Sequence, residues 1–157
     1  MKSVLSSRLF IYIRSYPKNK KRRKRKLKKN IYFVFIPEEV QANVHAYEFP
    51  ILEKIQETWG AGVDNKVVCI RPAKPNKVAE ERLTINLRLL GVSKSMKIID
   101  LDGSLGGEIF AHECEDDSNV FIDVSNAPLA VTMELFSVVN KIVSLFRNTK
   151  LKAFFVI

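Results

Sequence analysis

Twelve consecutive residues hold the densest chemistry in the chain. Lys18, Lys20, Lys21, Arg22, Arg23, Lys24, Arg25, Lys26, Lys28 and Lys29 are cationic, and only Asn19 and Leu27 interrupt them. Charges this close repel one another and leave no apolar face, so the free segment is expected to be disordered. Such a segment gains free energy by displacing counterions from a polyanion. No aromatic residue is interleaved, so base stacking is not indicated; the expected contacts are to phosphates, without sequence reading. RNA, DNA, a nuclear import receptor and an anionic membrane surface are all chemically suited to it.

Two further stretches have side chains capable of chemistry. His112-Glu113-Cys114-Glu115-Asp116-Asp117 contains metal-capable groups, and His112 and Cys114 would share one face of a strand. Two ligands do not close a tetrahedral site, and the run reads as an acidic turn. Ile98-Ile99-Asp100-Leu101-Asp102-Gly103-Ser104 resembles the opening motif of haloacid-dehalogenase-type phosphotransferases. The resemblance implies Asp100 as nucleophile, Asp102 as acid–base and Mg²⁺ as cofactor. It covers seven residues, and a strand ending in an Asp-Gly turn yields the same residues without chemistry. No P-loop, dinucleotide fingerprint or nucleophile elbow is present. No catalytic residue, metal or cofactor is therefore assigned.

Charge divides the chain. Residues 1–30 hold 13 Lys or Arg and no acid; residues 31–157 hold the other 13 basic residues and all 17 acidic ones, a balance of −4. A mildly acidic body thus follows a strongly cationic arm, and this asymmetry points to an anionic partner for the arm. Residues 1–16 are basic, Ser-containing and free of acids around an apolar run, Leu9 to Ile13. That is presequence-like composition, although an extra strand or a loosely docked arm fits better. Cys69 and Cys114 show no disulfide or metal spacing and suit a reducing compartment. No apolar run approaches the ~20 residues a membrane span needs.

The elements that would position these residues follow from periodicity. Ile31–Ile36, Lys66–Arg71, Met96–Leu101, Val120–Val124 and Leu151–Ile157 read as apolar strands, and Glu108–Ala111 as a short one. Alternation of Leu83, Ile85, Leu87 and Leu89 with Thr84, Asn86 and Arg88 predicts another strand, after a Pro72–Lys77 loop and a turn at Ala79–Arg82. One helix is expected to open at Pro37-Glu38-Glu39 and pass His45, and a second to run from Pro50 to Gly60. A third should start near Pro128, capped by Ser125 or Asn126, with Val131, Leu135, Val138, Val139, Ile142, Leu145 and Phe146 on one face.

Val120 to Ile157 therefore reads strand, helix, strand, with parallel strands and a right-handed crossover. This unit resembles the core of a STAS domain, the module of anti-sigma-factor antagonists. Asp123-Val124-Ser125 would match the strand end, and Thr132 would fall at the regulatory phosphosite, although Val131 and Glu134 stand where that family has Asp and Gly.

The fold class expected is α/β (or α+β): a single domain over 31–157, with a mixed sheet of about six or seven strands and two or three helices, behind a disordered arm at 1–30. The expected function is that of a non-enzymatic, nucleic-acid-associated protein, RNA more than DNA, such as an accessory ribonucleoprotein subunit. The ten cations would meet phosphate and the acidic body a protein partner, in the nucleus or the mitochondrion. The alternative is a STAS-like or other protein-interaction module whose arm only directs localisation.

Overall fold

Five apolar segments do become strands, and the nearly unbroken apolar character of 31–36, 67–70 and 120–122 has a simple cause: these stretches are covered on both faces of the sheet. The computed structural model describes residues 10–14, 29–39, 48–60, 63–101, 113, 118–145 and 152–156. In chain order the elements are β1 Phe10–Arg14, β2 Lys29–Phe35, α1 Pro50–Thr58, β3 Asp64–Arg71, α2 Lys77–Leu89, β4 Met96–Asp100, β5 Ser118–Asp123, α3 Leu129–Leu145 and β6 Lys152–Val156, with a 3-10 turn at Ser93–Ser95. The architecture is α/β, with a parallel sheet and three helices.

Strand order is β1-β6-β5-β2-β3-β4. Strands β6, β5, β2, β3 and the edge strand β4 run parallel, and β1 alone is antiparallel, against β6. From β2 the chain builds outward to β3 and β4, then returns to β5 on the other side of β2 and continues to β6.

Alternate residues of each strand face opposite layers. Ile31, Phe33 and Phe35 of β2 pack with Val68, Ile70, Val120 and Ile122, under Leu135 and Val139 of α3. Tyr32 and Val34 pack with Val67, Cys69 and Phe121, under Ile51 and Ile55 of α1 and Ala79, Leu83 and Leu87 of α2. The helices therefore cover both faces, α3 on one and α1 with α2 on the other.

Leu83 to Leu89 is a helix, not the strand its alternation predicts. Asn76 begins it by accepting the N–H of Ala79 at 3.1 Å. Burial then selects Ala79, Leu83 and Leu87, four residues apart, and leaves Ile85 46% and Leu89 79% exposed. At its end Gly91 adopts a positive φ of 74°. Its N–H bonds Arg88 O while Val92 N–H bonds Leu87 O, a Schellman closure that favours glycine.

The helix expected at Pro37–Glu39 does not start there. Ile36 N–H bonds Ile70 O at 2.9 Å and Glu38 bridges Pro75, so this chain remains extended beside β3. The rest of that expected helix, with His45, and the Glu108–Ala111 strand lie outside the described residues. Ser125 and Asn126 are engaged away from α3: the Ser125 hydroxyl donates to Asp123, and Asn126 Nδ2 donates to Glu48 O at 3.3 Å.

Candidate nucleic-acid interface

The boundary of the basic arm differs from the one its composition suggests. Phe10–Arg14 is strand β1, and Lys29 with Asn30 opens β2, so parts of the expected disordered arm belong to the sheet. Arg14 is level with Lys152, the first residue of β6. Since β6, β5 and β2 run parallel, the end of β1 and the start of β2 lie at the same end of the sheet. Three strand spacings separate them, roughly 14 Å. Residues 15–28 join these two points. Lys18, Lys20, Lys21, Arg22, Arg23, Lys24, Arg25, Lys26 and Lys28 belong to this connection and lie outside the described residues. Lys29, the tenth cation, pairs with Asp64 at 3.6 Å.

At that same end, strand register aligns lysines that are distant in sequence. Lys29 is opposite Asp64 and Ile31 opposite Lys66; Val68 is opposite Lys97. Lys29 alternates with Ile31, Lys66 with Val68 and Lys97 with Ile99, all on the face that α3 covers. Lys29, Lys66 and Lys97 therefore form a diagonal across three neighbouring strands, each step about 7–8 Å between Cα atoms. Their side chains are 31%, 34% and 49% exposed.

Glu113 closes over two of them. Lys66 Nζ donates to its Oε2, and Lys97 Nζ donates to its Oε1 at 2.5 Å. The carboxylate is only 2% exposed. Burial pushes its pKa up, but the hydrogen bonds and charges of the two lysines overcome that and hold it down to about 2. Glu113 is the one described member of the 112–117 run, and both of these bonds are to cations. Among the described residues no group of three or more His, Cys, Asp or Glu could hold a metal ion.

The opposite face of this end is polar and closed. Asn119, Asn30 and Asn65 are level across β5, β2 and β3. Asn119 Nδ2 donates to Asn30 Oδ1 at 3.0 Å, and Asn30 Nδ2 reaches Tyr32 Oη and Thr58 O, both at 3.2 Å. Tyr32 stacks on Phe121 at 5.0 Å and on Trp59 at 6.0 Å between ring centroids. With Tyr32 and Phe121 buried, those rings cannot receive a nucleobase.

Candidate catalytic residues fall at the other end of the strands. Asp100 ends β4, the outer strand on that side, and accepts Arg71 Nε at 2.6 Å. That hydrogen bond lowers the Asp100 pKa and raises that of Arg71, which also reaches Glu80 at 3.4 Å. Asp102 lies outside the described residues. Thr132 Oγ1 donates to Pro128 O at 3.2 Å in its own helix. Cys69 is buried, and desolvation, then the charge of Glu80, push its thiol up to about 12, which leaves it unreactive.

The Lys66–Glu113–Lys97 cluster was not singled out in the sequence. Its signal is a lysine immediately before the apolar run of each of two strands, Lys66 before Val67–Ile70 and Lys97 before Ile98–Ile99, set diagonally once the strands are aligned. No helix among the described residues is long and apolar enough to cross a membrane. Comparison with protein families, curated proteins and solved structures finds no match.

Proposed function

We propose that this protein is a non-enzymatic, RNA-associated accessory subunit, of the kind found in ribonucleoproteins, that grips phosphate through Lys18–Lys29. The carrying observation is that nine cations lie within the 14 residues joining β1 to β2. Nine cations in 14 residues give a charge density that a polyanion binds by releasing counterions. The remainder of the 31–157 body is a single domain of net negative charge that docks on protein. The compartment of this reading is intracellular, nucleus or mitochondrion.

The test replaces the nine cations of residues 18–28 with Gln and leaves Lys29 in place. Fluorescence anisotropy with a mixed-sequence single-stranded RNA should show affinity lost, and a salt slope flattened by up to about 0.7 per phosphate contact removed. Binding equal to the unmodified chain would overturn the reading. A second reading, a protein-interaction module with a localising basic segment, draws on Leu129 and Met133 of α3, which are 78% and 66% exposed. Pull-down that survives nuclease treatment and the Gln replacements favours this second reading.

A further inference from the structure

Phosphate contact need not stop where the basic segment enters β2. We infer that Lys29, Lys66 and Lys97 continue the RNA-phosphate surface of residues 15–28 across the sheet, and that Glu113 occupies two of these lysines as an internal competitor which an RNA backbone displaces. This deepens the proposed function and rests on it.

Three observations carry the inference. Position is the first: β2 follows directly from the basic segment, and register places Lys66 and Lys97 as the next two steps of a diagonal starting at Lys29. Residue type is the second. On this face the strands present Ile31, Phe33, Val68, Ile70 and Ile99 to the core, and one lysine precedes that apolar set in each of three adjacent strands, with Asp64 opposite Lys29. Partner geometry is the third. The two ammoniums hold the two oxygens of one carboxylate, one each. A phosphodiester also carries two free oxygens and a single negative charge, so it can replace Glu113 between the same two donors.

Asp64 stands in the same relation to Lys29, but it is itself 60% exposed and yields more readily. Contact by residues 15–28 would bring a polyanion to the lysine diagonal at high effective concentration. Exchange of Glu113 for phosphate then becomes an intramolecular step. In the free protein Glu113 neutralises two cations and weakens capture of shorter or sparser polyanions.

The test measures binding of a fluorescein-labelled, mixed-sequence single-stranded RNA between about 50 and 200 mM KCl, the range over which phosphate contacts respond most clearly. Glu113→Gln should bind more tightly than the unmodified protein at every salt concentration with the same log–log slope, because a displaced carboxylate and a glutamine leave the same phosphate contacts. Adding Lys66→Gln and Lys97→Gln should abolish the gain and flatten the slope by about 1.4, two contacts at about 0.7 each. Equal affinity for Glu113→Gln, a slope steeper than the parent's by two contacts, or a gain that survives loss of both lysines overturns the inference. Should Glu113→Gln fail to fold, Glu113→Asp decides: it keeps the charge but is one methylene too short to hold both lysines. A smaller gain of the same sign supports the inference and no gain overturns it. The Gln-replaced 18–28 variant separates the two failures. If it loses binding while Glu113→Gln changes nothing, only the inference falls; if it binds normally, the functional reading falls with it.

Discussion

Asp123, the last residue of β5, accepts the backbone N–H of Ile51 in the first turn of α1 at 3.0 Å. Helix α1 has no side-chain cap of its own, since Phe49 occupies the N-cap position. Its start is therefore stabilised by a carboxylate from the end of the neighbouring parallel strand, at the point where strand order changes direction between β2 and β5. The same carboxylate accepts the N–H and hydroxyl of Ser125, and it is 1% exposed. Asp123→Ala leaves buried donors without an acceptor and should cost on the order of 3 kcal/mol in urea unfolding. Asp123→Asn keeps one acceptor oxygen and should cost less. A loss below about 1 kcal/mol for the alanine variant would show that solvent can replace this link.

Glu113 gives the fold a specific acid response. Its ordinary carboxyl pKa of 4.5 is held down to about 2 in the folded protein. A depressed carboxyl contributes stability above its unfolded value and loses that contribution as pH falls through the folded value. The window is thus between about 4.5 and about 2. At full strength a shift of this size is worth about 3 kcal/mol, and solvation of Lys66 and Lys97 reduces it. The stability gap between the native chain and Glu113→Gln should be constant near neutral pH and close as pH drops through that window. A gap that stays constant down to pH 2 would mean the lysines do not perturb this carboxyl.

Truncating the basic segment and neutralising it are different experiments. Deleting residues 1–30 also removes β1 and the first two residues of β2, exposes the edge of β6 and breaks the Asn119–Asn30 bond. That variant should unfold several degrees lower or aggregate, judged by thermal melting and light scattering. Replacing the nine cations of 18–28 with Gln leaves every described pairing intact. Its melting temperature should match the parent or exceed it, since mutual repulsion is relieved. A drop equal to that of the truncation would place those cations in the fold itself.

The residues that were easy to read are those whose pattern admits one period. Ile31–Ile36 and Val120–Val124 are too short for helices and too apolar for loops. Pro50 to Gly60 carries a first-turn proline, and α1 spans Pro50–Thr58, although it closes on an extended Trp59 and not on a left-handed Gly60. Strand order was not legible, because it depends on which apolar runs meet across long loops, and composition does not encode that. Nor was Lys29 separable from its neighbours, since ten cations among twelve residues hide the one that pairs with Asp64. The 112–117 run reads as an acidic turn that happens to hold metal-capable side chains. The described member, Glu113, instead meets two lysines from strands far away in sequence.

Helix α2 is the sharpest case, because its residues satisfy both periods. Leu83, Ile85, Leu87 and Leu89 alternate as a strand would, while Ala79, Leu83 and Leu87 repeat every fourth residue as a helix face does. Lys77-Val78-Ala79 after the Asn76 cap tips the choice, since Asn76 accepts Ala79 N–H only if the following turn is helical. The two arrangements differ in which leucines matter. A strand face would bury Leu83, Ile85, Leu87 and Leu89 alike. The helix buries Leu83 and Leu87 at 1% and 0% exposure and leaves Leu89 in solvent. Leu83→Ala and Leu87→Ala should each cost about 2–5 kcal/mol in urea unfolding. Leu89→Ala and Ile85→Ala should each stay near the ±0.5 kcal/mol of surface changes. Comparable losses at all four positions would require the sheet-type burial and exclude α2 as a helix against this face.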